Sequence, residues 1–393
     1  MQVTVPYSVR LKSLSQLTTL EFGGKPSWLC EASHEEDVRS IIQWSRAQNL
    51  MIYPLGEGSN LLCSDLDFTG VVLQIKSQNC TIWSDHISDY FDFSKQEERQ
   101  QLLNKIQICH STQSNTHSNI LFLDVDAGIN WCDLVEWTVS ANLAGIECLG
   151  GIPGKVGAAP IQNIGAYGQS FSDRCLGVYI YDTNTDQCRW WTPEECKWGY
   201  RDSYFKQHPH RYVVLTVRLQ LTYGSAPKIE YTQLHNVIKV HNPSILDVYQ
   251  AVLQLRRSKS MVLDPNDPNR RSAGSFFINP VINQLDMEQV DEKIRVLNLS
   301  PPPRWKEQNG IKIPAAWLIE NSGFPRGYVH GNVGISTRHS LALINRGGAT
   351  ATEFAQFALD VRTAVWENFN VLLIPEPVRW GFTSDPFDLS GQT

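Results

Sequence analysis

The chain has no run of about eighteen apolar residues, so nothing in it reads as a membrane-spanning helix. An apolar leader is missing too: Met1 to Leu20 contain neither a hydrophobic stretch nor a small-residue cleavage site, and a soluble cytoplasmic protein is expected. Basic residues are outnumbered, with 34 Lys and Arg against 40 Asp and Glu. No Lys/Arg run accompanies an aromatic stripe, which argues against nucleic acid but leaves room for a local basic pocket. The nine cysteines include no CxxC pair, and an odd, scattered count fits reduced thiols better than a disulfide framework. His208-Pro209-His210 is the one tight histidine pair. With no cysteine or paired carboxylate nearby it reads as a solvated loop, and no metal site is expected. No internal repeat is present.

What the chain does have is concentrated in Gly150 to Gly168, where six glycines and three alanines accompany a single charge, Lys155. Such a segment is too poor in side chain to build a core and too apolar for a solvated linker. It suits close approach of backbone to a flat cofactor, the alternative being a set of tight turns over a sheet edge. A second glycine pair, Gly56-Glu57-Gly58-Ser59-Asn60, follows the strand-like run Met51 to Leu55. Leu61-Leu62 and Val71 to Ile75 then read as extended structure, so no helix begins at the glycines and a Rossmann dinucleotide fingerprint is disfavoured. Successive amides in such a turn can still form an anion-binding nest.

Length alone allows two or three domains. Ser33-x-x-Glu36, Asn130-x-x-Asp133, Ser244-x-x-Asp247 and Thr352 read as helix starts, and Val178 to Tyr181 and Tyr212 to Leu219 as strands. The polar stretch 78–119 reads as an inserted, partly mobile surface excursion.

Five blocks give the chain a close resemblance to the UDP-N-acetylenolpyruvoylglucosamine reductase family: Leu55 to Leu62, Ile152 to Gly168, Gly199 to Lys206, Ala273 to Pro280, and Pro375-Glu376. They keep the family's order and span most of the chain. The resemblance implies an α+β fold: a two-subdomain FAD-binding part of the vanillyl-alcohol oxidase type, and a C-terminal α+β domain for a UDP-sugar. The expected divisions are 1–77 joined by the tail 374–393, then 78–222, then 223–373. Non-covalent FAD would be held by Leu55, Gly56, Glu57, Gly58, Ser59, Asn60 and Leu61. Along the second block its neighbours would be Ile152, Pro153, Gly154, Gly157, Ala158, Ala159, Ile161, Gln162, Asn163, Gly165, Ala166 and Tyr167. Gln162 and Asn163 would offer donors and acceptors to the flavin.

By the same resemblance, NADPH supplies a hydride through FAD to the vinyl carbon of UDP-N-acetylglucosamine enolpyruvate. Charge developing beside the substrate carboxylate then needs cationic groups and one proton. Arg201 matches the position that meets the carboxylate, Ser275 the proton donor, and Glu376 the residue supporting the enolic intermediate. Burial would raise the Glu376 pKa. In the family pattern Val-Arg follows the glutamate directly; here Pro377 intervenes, so either the backbone bulges or Glu376 is displaced. Tyr200, Tyr231, Lys259 and Asn279 match substrate positions, and Tyr231 suggests the subtype with a tyrosine loop over the nucleotide. Against the tyrosine stands an ordinary half-buried strand start. A monomer is expected, acting in peptidoglycan synthesis and through it in cell shape and division. Two other readings are an FAD oxidase of the same fold acting on an alcohol or sugar, and a non-catalytic flavin-binding protein.

Overall fold

Residues 12–111, 119–307 and 309–388 are described in the computed structural model. They form two compact units, each assembled from segments far apart in sequence. Pro26–Glu57 and Thr69–Arg257 belong to the first; Lys12–Lys25, Gly58–Phe68 and the chain from Ser258 onward belong to the second. The chain therefore changes unit inside the Gly56 to Asn60 loop. Helices and strands are mixed in both, as an α+β fold requires.

The first unit is organised by an antiparallel sheet in the spatial order Gln187–Trp191, Cys175–Asp182, Tyr212–Tyr223, Ile120–Asp126, Asn79–Trp83, Ser88–Asp92. Alternation explains its two faces. Val217, Leu219 and Leu221 are fully buried, together with Leu121, Leu123 and Val125 of the neighbouring strand. On the opposite face Arg218 donates twice to Asp124 at 2.6 Å and lies 4.4 Å from the Trp190 ring centroid. The first half of Tyr212–Tyr223 is covered on both sides. Val213 and Leu215 pack with Val38, Ile41 and Ile42 of the helix Glu35–Ala47, while Val214 joins the main core.

Polar segment 78–119 is not a surface excursion. It supplies the strands Asn79–Trp83 and Ser88–Asp92 and the helix Gln96–Ser111, and it buries Cys80, Ile82, Phe91, Leu102 and Ile106. Its last residues, 112–118, lie outside the described ones. Residues 223–257, read from sequence as part of the C-terminal domain, pack instead within the first unit. Leu234, Val248 and Val252 close over Cys148, with Tyr167 against them. His208 and His210 are not a solvated loop either: His208 stacks on Tyr204 at 4.0 Å, and His210 Nδ1 meets the Ile52 carbonyl at 3.1 Å.

Local signals place most helix starts well. Asn130 caps Trp131–Ser140 through the Asp133 N–H at 3.1 Å. The last long helix, Ala351–Phe369, begins one residue before Thr352, because Thr350, not Thr352, is its cap and forms a reciprocal capping box with Glu353. That helix is the spine of the second unit, burying Phe354, Phe357, Val361 and Val365 against Phe276 and Phe277. A parallel pair, Leu61–Cys63 with Val378–Trp380, joins the tail to the segment after the glycine loop.

Ile82 tests the status of the 78–119 segment. Ile82→Ala should cost roughly 2–4 kcal/mol and lower the thermal unfolding midpoint by several degrees, whereas Tyr90→Ala, at a site 69 % exposed, should leave it within about a degree. An unchanged midpoint for Ile82→Ala would mean that the segment is an appendage after all.

Candidate active site

The glycine-rich block folds as a chain of tight turns presenting backbone. A 3-10 turn, Val156–Ala158, runs into one helical turn, Ala159–Gln162, which Asn163 stops in the left-handed region at φ 42°. Gly165–Ala166 then pairs with Gln169–Ser170. Tyr167 and Gly168 between them have φ of 49° and 90°, the geometry of a two-residue hairpin turn. Space is tight on the inner side: a Cβ on Gly157 would stand 2.7 Å from the Ala127 Cβ. The outer side borders a shallow groove lined by Leu55, Gly56, Lys155, Gly157, Ala158 and Ile161, with Leu73 and Val213 behind. Apolar walls, exposed backbone and one cation suit a flat ring system carrying phosphates, so the residues fit a flavin nucleotide.

Two expected cofactor side chains face the protein instead. The Glu57 carboxylate accepts the Gly154 N–H at 3.0 Å, takes the Asn130 side-chain amide, and lies 3.5 Å from Lys155 Nζ. It clamps one glycine block onto the other. Asn163 is 7 % exposed, its amide donating to the Gly199 carbonyl at 3.0 Å and its oxygen accepting the Ser172 N–H at 3.1 Å. Its side chain ties the Gly199 and Ser172 turns to the glycine-rich block. Cys132 Sγ donates to the Ile152 carbonyl at 3.2 Å, fixing the start of the block from beneath.

The Arg201 turn is laced to this block. Gly199 and Asp202 exchange backbone hydrogen bonds of 3.0 and 3.3 Å, leaving Arg201 at the tip with φ 55°. Its guanidinium donates to the Gly165 carbonyl at 2.5 Å and lies 5.4 Å from the half-exposed Tyr200 ring. A Cβ on Gly165 would come within 3.0 Å of Arg201 Nη1, so glycine there admits the guanidinium. Trp198 donates to the Pro160 carbonyl at 2.8 Å, and the buried Ser203 hydroxyl to that of Ile161 at 2.7 Å. Tyr231 precedes a short helix, Thr232–Val237, and does not start a strand; its ring meets Tyr167 edge-on at 5.4 Å. Sequence reading missed Arg256, in the last turn of Ile245–Ser258. Burial, aided by the like charge of Arg201, pushes its guanidinium below the ordinary value, while Tyr167 and Cys132 oppose the shift.

In the second unit, Ser275 follows Gly274 (φ 70°) and precedes the buried pair Phe276 and Phe277. Glu376 lies alongside: its N–H donates to the Phe276 carbonyl at 2.8 Å, and the Ile278 N–H to the Ile374 carbonyl at 3.1 Å. The Val378 N–H then donates to Asn60 at 3.0 Å. Pro377 thus stands where the chain passes from one partner strand to the next, and its missing donor breaks no ladder bond. Glu376 keeps its pairing with the Ser275 block and is half-buried. Asn279 caps the helix Ala315–Glu320 through the Ala315 N–H at 3.0 Å, which commits its oxygen. Gly58 has φ 62°, and a Cβ there would stand 2.2 Å from the Leu17 carbonyl, so the loop needs glycine. His339 was not read from the sequence because it lies outside every recognised block. Burial, with the charges of Lys259 and Arg326, pushes its imidazole down to about 4, and Nδ1 accepts the Leu341 N–H at 3.1 Å, so the neutral ring carries its proton on Nε2. Among the described residues no cluster of metal-ligating side chains occurs, and no helix is long and apolar enough to cross a membrane.

Two family models match the chain: the C-terminal domain of UDP-N-acetylenolpyruvoylglucosamine reductase over residues 265–380, and an FAD binding domain over residues 113–189. The chain is 39 % identical to the UDP-N-acetylenolpyruvoylglucosamine reductase of Thermobifida fusca, covering 94 % of this chain and 97 % of that protein. It is 35 % identical to the enzyme of the same name from Streptomyces avermitilis, over 94 % and 93 %. In fold it resembles the crystal structure of the Thermus caldophilus reductase, with a TM-score of 0.57 at 23 % identity, covering 95 % of this chain and 99 % of that one. Sequence likeness along nearly the whole length, together with a fold that matches end to end, shows that this chain belongs to the UDP-N-acetylenolpyruvoylglucosamine reductase family.

Proposed function

We propose that Arg201, Ser275 and Glu376 serve the reaction of this family, the NADPH-dependent reduction of UDP-N-acetylglucosamine enolpyruvate to UDP-N-acetylmuramate. FAD, when bound, supplies the relay of a hydride from NADPH to the vinyl carbon. The observation that bears most weight is the backbone pairing of the Ser275 and Glu376 blocks, through the 2.8 Å bond from Glu376 N–H to Phe276. It keeps hydroxyl and carboxyl on adjoining strands despite Pro377, inside the part of the chain that matches the reductase C-terminal domain. The FAD oxidase reading and the non-catalytic reading have no comparable support.

Each group has a task suited to its chemistry. Arg201 offers a planar, cationic donor fork, so it receives the substrate carboxylate and stabilises negative charge developing beside it. Ser275 gives its hydroxyl proton to the carbon that becomes carbanionic, an acceptor basic enough to take it. Glu376 supports the enolic form by hydrogen bonding. Leu55, Gly56, Gly157, Ala158 and Ile161 wall the cofactor groove, and the amides of the Gly56 to Asn60 turn are assigned to the pyrophosphate. Tyr200, Tyr231, Lys259 and Asn279 match the family's substrate positions and are assigned to the nucleotide sugar on that ground, Tyr231 as part of a covering loop. A cytoplasmic protein supplying peptidoglycan precursor, and so serving cell shape and division, suits a nucleotide-sugar substrate, and a monomer is part of the same reading.

The two half-reactions test the assignment. Anaerobic NADPH should bleach the yellow protein, and UDP-N-acetylglucosamine enolpyruvate should restore the colour. Protein that cannot be loaded with FAD, or bleached protein that the enolpyruvyl sugar leaves reduced, would overturn it. Ser275→Ala should bleach at nearly the normal rate and reoxidise at least a hundredfold more slowly, within the range attributed to general acid catalysis. Glu57→Ala should weaken FAD retention by about tenfold, from loss of hydrogen bonds to a charged group, as measured by flavin released on gel filtration; unaltered retention would show that the clamp is dispensable.

A further inference from the structure

Lys206 closes the Gly199 to Lys206 block, yet no part of the chemistry above employs it. Its Nζ donates to the Arg201 carbonyl at 2.8 Å and to Gln162 Oε1 at 3.2 Å. Both contacts bear on the same problem. Arg201 sits at φ 55°, a conformation that is unfavourable for a non-glycine residue and persists only when its surroundings enforce it. The facing turn has the same feature at Asn163, φ 42°, whose amide holds the Gly199 carbonyl at 3.0 Å. Two left-handed turns are therefore cross-braced, by Asn163 on one side of Arg201 and by Lys206 on the other. The Lys206 end is anchored in its turn. The Lys206 N–H donates to the buried Ser203 hydroxyl at 3.1 Å, and that hydroxyl donates to Ile161 at 2.7 Å.

Resting on the reading that Arg201 receives the substrate carboxylate, we propose that Lys206 is a positioning residue for the reductase reaction, holding the Arg201 turn so that the guanidinium is aimed before substrate arrives. A flexible tip would let Arg201 sample other orientations, and each substrate encounter would have to select the competent one. A backbone carbonyl has no side chain of its own to restrain it, so an ammonium donating to it and to the neighbouring turn at once is an effective brace.

The test compares Lys206→Met, Lys206→Arg and Arg201→Lys with the parent and with the Lys206→Met/Arg201→Lys double variant, all as FAD-loaded protein. Lys206→Met should keep FAD and bleach with NADPH within about threefold of the parent. It should bind UDP-N-acetylglucosamine enolpyruvate about tenfold more weakly, as read without turnover from the shift of the oxidised flavin spectrum, and reoxidise about tenfold more slowly; that size is expected for one hydrogen bond from a charged donor. Lys206→Arg should recover most of both. In the Arg201→Lys background, Lys206→Met should add less than twofold, because a residue acting through Arg201 has nothing left to position. Loss of FAD, equal slowing of both half-reactions, parent-like binding, or full additivity in the double variant would each overturn the proposal. If the parent itself is not reoxidised by the enolpyruvyl sugar, the assigned reaction fails, a result separable from any difference between variants.

Discussion

A surface made of backbone must have its polar groups answered from behind, and everything at the candidate site depends on meeting that requirement. The Gly150 to Gly168 block brings carbonyls and amides to the edge of a groove with almost no side chains of its own. The answers come from elsewhere: Trp198, Ser203 and Arg201 serve the carbonyls of Pro160, Ile161 and Gly165, while Glu57 serves the Gly154 amide. Left open, each buried group would cost about 1–3 kcal/mol. Arg201, the residue proposed to receive the substrate carboxylate, is itself one of these supports. Bed and chemistry are therefore coupled, since a change that moves Gly165 moves the hydrogen bond of Arg201.

Legibility in the sequence followed side-chain economy. Gly150 to Gly168 and Gly56 to Asn60 stood out because so few residues can fill their roles, and the absence of a helix after Gly58 was readable because strand-like apolar runs follow at once. Side-chain direction was not readable in the same way. Glu57 and Asn163 belong to cofactor blocks, but their polar groups are spent on Gly154, Asn130, Gly199 and Ser172. Asn279 likewise spends its oxygen on a helix end. A motif records that a residue type is required, and bracing a loop requires it as firmly as touching a ligand does. The 78–119 segment misled for another reason: its strands bury alternate residues only, Cys80 and Ile82 on one and Phe91 on the next. Averaged over the stretch, the outward residues hide a two-residue period.

Pro377 sits at a place in the tail from which no backbone donor is asked. An extra residue between Glu376 and Val378 would ordinarily shift a strand by one place and turn its side chains over. Here the chain changes partners at that point, from the Phe276 segment to Asn60, so no continuous register has to be kept across Pro377. Proline, lacking a donor, suits a position from which no ladder bond is asked.

The strand Tyr212–Tyr223 lies between Ile120–Asp126 and Cys175–Asp182, both of which leave the ribosome before it. At ordinary rates of synthesis the nascent chain would wait on the order of 10 s between emergence of Asp126 and of Tyr223. During that interval two strand edges that are central in the finished sheet stand open, with Leu121, Leu123, Val178 and Ile180 uncovered, a template for pairing with other chains. The order of synthesis thus leaves these two edges without their common partner during translation, before there is any cofactor groove to fill.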